Sequence, residues 1–159
     1  MIVLQGFISG LIATIVFDIF NYSLNYAYNI KKPKWYLLGR YFIGYRQRRY
    51  FRVSLEDDEE EDNELLWGYI IHYIIGIIYG LFYVCLNLLF FDYPSLLIAY
   101  LFGFITVLGA WCYLMPFAYN LGFFASKTDQ QFKILAQNLI GHFVFGTGLF
   151  IGYYFFFNH

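Results

Sequence analysis

Apolar and polar positions fall along this chain in blocks far longer than a soluble helix needs. Four apolar blocks cover about residues 2–24, 65–91, 96–119 and 134–157. At about 1.5 Å of rise per residue, each can cross a hydrocarbon core of about 30 Å as a helix. The longest, Leu65 to Phe91, holds 27 residues without a Lys, Arg, Asp or Glu. Within the blocks, small residues recur every four positions: Gly68, His72, Gly76 and Gly80 in the second, and Gly6, Gly10, Thr14 and Asp18 in the first. That spacing keeps each set on one slowly drifting helix face, where a second helix can approach closely. The pattern predicts an all-α fold: a four-transmembrane-helix bundle forming a single integral membrane domain over residues 1–159, joined by a long loop over 25–64.

The first two helices run in opposite directions, so their stripes can be set in register. Placing Asp18 opposite His72 brings Thr14 opposite Gly76 and Gly10 opposite Gly80, with Tyr22 above Gly68. Both Asp18 and His72 then sit roughly 10 Å from the same end of their helices. A carboxylate at that depth is costly unless paired, and imidazole is a fitting partner. The fourth block carries His142 at the same depth, and His72-Tyr-Ile-Ile-Gly76 matches His142-Phe-Val-Phe-Gly146 as His-aromatic-x-x-Gly. Blocks one and three hold the related stretches Gly10-Leu-Ile-Ala-Thr14 and Gly103-Phe-Ile-Thr106. Two pseudo-repeated helical hairpins are expected, with a buried polar cluster of Asp18, Thr14, Tyr22, His72 and His142. Gly6, Gly10, Gly68, Gly76, Gly80 and Gly146 are the expected packing positions. Pro116 should end or kink the third helix.

Composition agrees with a lipid solvent: 60% of residues are hydrophobic and only 13% charged, against about 25% charged in soluble domains. The net charge of −1 hides a segregation that matters more. All ten Lys and Arg lie between blocks one and two or between blocks three and four, and the turn at 92–95 and both chain ends have none. The positive-inside bias therefore places 25–64 and 120–133 in the cytoplasm and both termini outside, in a multi-pass protein of the inner membrane. The opening MIVLQGFISG lacks a basic lead and a small-residue cleavage site, so it reads as an uncleaved first helix.

The long connection divides in two. Its first half mixes basic and aromatic residues, and Trp35, Arg40, Arg46, Arg48 and Arg49 are expected at the lipid interface on anionic headgroups of the cytoplasmic face. The same mixture argues for lipid over nucleic acid in a chain with four spans, and no nucleic-acid partner is expected. Its second half holds eight acidic residues between Glu56 and Glu64. Such a run repels itself, and a solvated, flexible loop is expected. Cys85 and Cys112 stand outside any metal or redox motif and read as small apolar residues.

The series GLIATIVFD, WYLLGRY, Glu64 before WGYIIHYIIG, GFIT with Pro116, SKT and GHFVFGTGLF resembles a family of small bacterial integral membrane proteins of unknown function, over almost the whole chain. The resemblance implies four spans, a Gly-Arg-aromatic motif at Gly39-Arg40-Tyr41, a Trp-Gly and His-Tyr motif opening the second span, and His-x-x-Phe-Gly in the fourth. This chain departs from that pattern in its long acidic run and in Met115, where a Gln is expected.

Three functions compete. A permease-like or proton-coupled membrane component would use Asp18 and His72 as titrating groups with His142 nearby, since the imidazole pKa lies near physiological pH. A non-catalytic structural or partner-binding membrane protein, including a homo-oligomer, would use the pair only to set helix register. A lipid-active enzyme would need a nucleophile, and Ser9, Ser23, Ser95 and Ser126 stand in no motif with a neighbouring His, so no catalytic residue is assigned. No cofactor motif occurs. Asp18, His72 and His142 lack the fixed spacing of a metal site, and none is expected.

Overall fold

The computed structural model describes residues 1–47, 55–91 and 93–157. Five α-helices account for most of them: α1 (Ile2–Tyr28), α2 (Trp35–Arg46), α3 (Glu64–Phe90), α4 (Leu96–Gly109) and α5 (Gln131–Phe157). No strand occurs among the described residues. A π-helical stretch, Ala110–Ala118, continues α4, and a short 3-10 turn follows at Phe123–Ala125. Four helical segments are long and apolar enough to cross a membrane: Ile2–Tyr28, Glu64–Phe90, Leu96–Ala118 and Gln131–Phe157.

Local chemistry explains the ends. Helix α1 stops at Asn29, whose left-handed φ of 52° turns the chain while its N–H reaches the Asn25 carbonyl at 3.0 Å. Asn tolerates that conformation, so it can cap a helix as glycine does. Pro33 disfavours helical backbone at Lys32, and the next helix begins at Trp35 with Lys34 at its N-cap. The start of α3 is fixed by Glu64, whose Oε2 accepts the Glu61 N–H at 3.0 Å. Between α3 and α4, Asn87 Oδ1 accepts the Ser95 N–H at 2.8 Å and the Tyr83 hydroxyl donates to the Ser95 carbonyl at 3.2 Å. Pro116 has no N–H to give, and the surrounding turns widen: the Tyr119 N–H bonds five residues back, to the Leu114 carbonyl at 2.9 Å.

The chain forms two compact units. The first comprises Met1–Lys32, Tyr73–Val107 and Leu139–His159. Here α1 uses two faces. Gly6, Gly10 and Thr14 meet α3: a Cβ on Gly6 would lie 2.7 Å from the Leu81 Cα, and one on Gly80 would lie 2.6 Å from the Gly10 Cα. Ser9 and Ala13 meet α5, where a Cβ on Gly148 would lie 2.6 Å from the Ala13 Cα and one on Gly152 2.7 Å from the Ser9 Cα. The Ser9 hydroxyl donates to the Leu149 carbonyl across that contact at 2.7 Å. Helices α4 and α5 approach through Gly146, whose Cβ would lie 2.7 Å from the Ala99 carbonyl. Without a hydrophobic drive between helices in lipid, such close backbone packing supplies the association.

The core of this unit is built on Val84, Phe102, Phe145 and Leu149, with polar side chains buried beside them and apolar ones turned outward. Ser9, Thr14, Asp18, Asn87 and Thr106 are buried, while Ile19, Phe82 and Ile105 are about 60% exposed in mid-helix (60%, 59% and 58%). Large apolar side chains on the outward face and polar ones held inside are what a hydrocarbon solvent selects.

The second unit comprises Pro33–His72 and Leu108–Asn138. In it α2 lies on the start of α3 at another glycine contact: a Cβ on Gly39 would lie 2.8 Å from the Gly68 N. The Tyr41 and Tyr113 hydroxyls are 3.1 Å apart. Burial, followed by that hydrogen bond, pushes the Tyr41 pKa up to about 12.

Candidate functional site

The second unit is organised on Arg40. Its Nε and Nη2 donate to Glu64 Oε2 and Oε1 at 2.6 and 2.8 Å, and Nη1 donates to the carbonyls of Leu55 and Asp58 at 2.8 and 2.9 Å. Arg40 is 2% exposed. The Glu64 carboxylate raises the Arg40 pKa further, against the opposing effect of burial. The expectation that Arg40 meets a lipid headgroup is therefore corrected, because its donors are already committed inside the protein. The acidic run, expected as a solvated and flexible loop, is solvated along its carboxylates and tied to the guanidinium by its backbone. The carboxylates of Glu56, Asp57, Glu59 and Glu60 are exposed, but two backbone carbonyls near the start of the run are held by the guanidinium, Leu55 is buried, and Lys34 pairs with Glu56.

Of the other interfacial candidates, Trp35 stacks on His72 with ring centroids 3.9 Å apart and planes at 21°. Arg46 is exposed at the end of α2. Arg48 and Arg49 lie outside the described residues.

The small-residue stripe of α3 thus serves two partners. Gly68 and His72 face α2, with a Cβ on Gly68 directed at the Trp35 carbonyl, whereas Gly76 and Gly80 face Thr14 and Gly10 of α1. The Thr14 hydroxyl also donates to the Gly10 carbonyl at 2.8 Å.

In the first unit, Asp18 is 8% exposed and lies within hydrogen-bonding reach of the Tyr73 hydroxyl. Tyr73 escaped the sequence analysis although its position was readable. One turn past Thr14 on α1 corresponds to one turn before Gly76 on antiparallel α3, and that level is shared by His72 and Tyr73. Asp18 and His72 fall in different compact units. Tyr22, expected in the buried cluster, is 45% exposed. It sits a further turn along α1, where its ring carries the Lys32 ammonium 4.4 Å from the centroid, a cation–π contact that suits the helix end.

His142 lies between α4 and α1. Its Nδ1 is 2.9 Å from the Thr106 hydroxyl, and its ring meets Phe17 edge-on at 5.9 Å. The Thr106 hydroxyl has one proton, and it goes to the Gly103 carbonyl at 2.8 Å. With that proton on the Gly103 carbonyl, the hydroxyl accepts from a His142 Nδ1–H, the tautomer whose basic nitrogen is Nε2. The residue beside Phe17 in the chain is Asp18, so a carboxyl group, a phenol and an imidazole belong to one compact unit. Such groups can accept, hold and release protons.

Two further polar atoms have no counterpart in the sequence analysis. Trp111 Nε1 and the Tyr119 hydroxyl are both shielded from solvent and have no hydrogen-bond partner among the described residues. A buried donor left unmatched costs about 1–3 kcal/mol. Their positions at the start and just past the end of the π-helical stretch were visible, but their surroundings were not. No group of three His, Cys, Asp or Glu side chains is arranged to hold a metal ion among the described residues.

A set of helices that turn apolar side chains outward and gather Asp, Thr, Asn and Ser inward defines an α-helical integral membrane protein. Residues 7–155 match a family described as protein of unknown function, DUF2938, and the chain belongs to that family. No curated protein and no solved structure matches the chain.

Proposed function

We infer that this chain is a multi-pass protein of the inner membrane, with both termini outside and residues 25–64 and 120–133 in the cytoplasm, and that it acts as a permease-like or proton-coupled component. The observation that carries this reading is Asp18: a carboxyl group 8% exposed, beside the Tyr73 hydroxyl, within a helix otherwise free of charged side chains. An acid at that position costs stability and is retained where it moves ions or protons. His142 supplies an imidazole in the same unit.

The test is proton flux in sealed vesicles containing the purified chain and an internal pH-sensitive dye. The unaltered protein should collapse an imposed pH gradient faster than empty vesicles do. Asp18→Asn should slow that collapse by roughly a hundredfold, the size of a lost proton-transfer group. Flux equal to that of empty vesicles would refute the reading.

The glycine contacts on both faces of α1 favour a second reading, a structural membrane protein in which Asp18 only sets helix register. That reading requires Asp18→Asn to lower the thermal unfolding midpoint in detergent, whereas the transport reading requires a folded variant that has lost flux.

A further inference from the structure

Trp111 lies at the start of the π-helical stretch Ala110–Ala118 and Tyr119 just past its end, and each directs a neutral donor into a place closed to solvent where nothing among the described residues accepts it. Native proteins satisfy the large majority of such groups, and two orphans around one helical segment ask for an acceptor brought from outside. The segment is itself unusual, since π-helical turns concentrate at functional sites.

The surroundings define what that acceptor belongs to. Phe124 packs on Trp111 with centroids 5.7 Å apart, and Phe117 on Phe123 at 6.2 Å. Phe117, Phe123 and Phe124 are 51%, 55% and 40% exposed, so an aromatic surface lies beside the two hidden donors. Phe124 holds a left-handed φ of 53°, a strained conformation for an aromatic residue. The nearby cation Lys127 is occupied by Asn120 Oδ1 at 3.0 Å. Indole N–H and phenol O–H donors bind a carbonyl oxygen without having to neutralise a charge. Leu96–Ala118 is long enough to cross a membrane, so its Trp111–Tyr119 end falls near the interface, where Trp and Tyr accumulate and where the ester groups of glycerolipids lie.

The geometry points to a bound glycerolipid whose two ester carbonyls accept from Trp111 Nε1 and the Tyr119 hydroxyl, with its acyl chains along Phe117 and Phe123. This site uses neither Asp18 nor any of the basic residues of the 25–64 connection.

The experiment compares two forms of phosphatidylglycerol with the same headgroup and chain length, one ester-linked and one ether-linked. The purified full chain in detergent is titrated with each, and binding is read by native mass spectrometry and by the thermal unfolding midpoint. The ester lipid should bind about fivefold to tenfold more tightly, the contribution of such a hydrogen bond. In Tyr119→Phe and Trp111→Phe that preference should fall toward unity while the ether lipid binds as before. Equal binding of the two lipids to the unaltered chain, a preference that survives in both variants, or no retained lipid would each overturn the assignment. Should Trp111→Phe fail to fold, the two lipids on the unaltered chain and the Tyr119→Phe variant still decide it.

Discussion

Arg40 holds Glu64 with two parallel hydrogen bonds, Nε to Oε2 at 2.6 Å and Nη2 to Oε1 at 2.8 Å, and the two side chains are only 3% and 13% exposed. A planar guanidinium matches a carboxylate in this way and an ammonium does not. The same Arg40 pins the carbonyls of Leu55 and Asp58, so one residue ties α2, the acidic run and the start of α3 together.

Breaking that pair from one side strands a buried charge. Glu64→Gln should destabilise the protein by about 3–5 kcal/mol, and Arg40→Lys should also destabilise it through loss of the fork. Thermal unfolding in detergent measures both. A loss below about 1 kcal/mol for Glu64→Gln would mean that the pair behaves as a solvated surface contact.

The two faces of α1 predict a second result. A methyl group at Gly80 meets the Gly10 backbone and one at Gly148 meets the Ala13 backbone, each 2.6 Å from a Cα. Backbone atoms cannot swing away as a side-chain tip can, so Gly80→Ala and Gly148→Ala should each cost about 1–3 kcal/mol of stability, by separating α1 from α3 or from α5. Unchanged unfolding midpoints would show that these helix pairs are not packed through their glycines.

His142 carries the third. With the Thr106 proton committed to the Gly103 carbonyl, neutral His142 should be protonated on Nδ1. Nitrogen-15 shifts of the labelled ring report the tautomer directly. Thr106→Val removes the acceptor and should relax the ring toward the Nε2–H form, at a stability cost of about 1 kcal/mol for the lost hydrogen bond. An Nε2–H signal in the unaltered protein would reverse the assignment of Nε2 as the basic nitrogen.

Much of the fold is readable in residue order because the constraints are local. Block length against bilayer thickness marks the four long helices, and a four-residue repeat places Gly6, Gly10, Thr14, Gly76 and Gly80 on helix faces before any partner is known. What that periodicity could not assign was the partner. One stripe on α3 meets α2 through Gly68 and His72 and α1 through Gly76 and Gly80, because α2 forms a helix over Trp35–Arg46 and covers the start of α3.

Arg40 shows the limit most plainly. A basic residue amid aromatics reads as a headgroup contact, since composition records its charge but not which carboxylate will fold against it. Glu64 stands 24 residues away, and only the folding of the second unit, with the Leu55 and Asp58 carbonyls on the same guanidinium, brings the two together. The widened turns around Pro116 and the unmatched donors of Trp111 and Tyr119 belong to the same class. Apolar length and small-residue spacing are properties of the chain itself, whereas burial and hydrogen-bond satisfaction depend on segments distant in sequence, and these the tertiary structure alone decided.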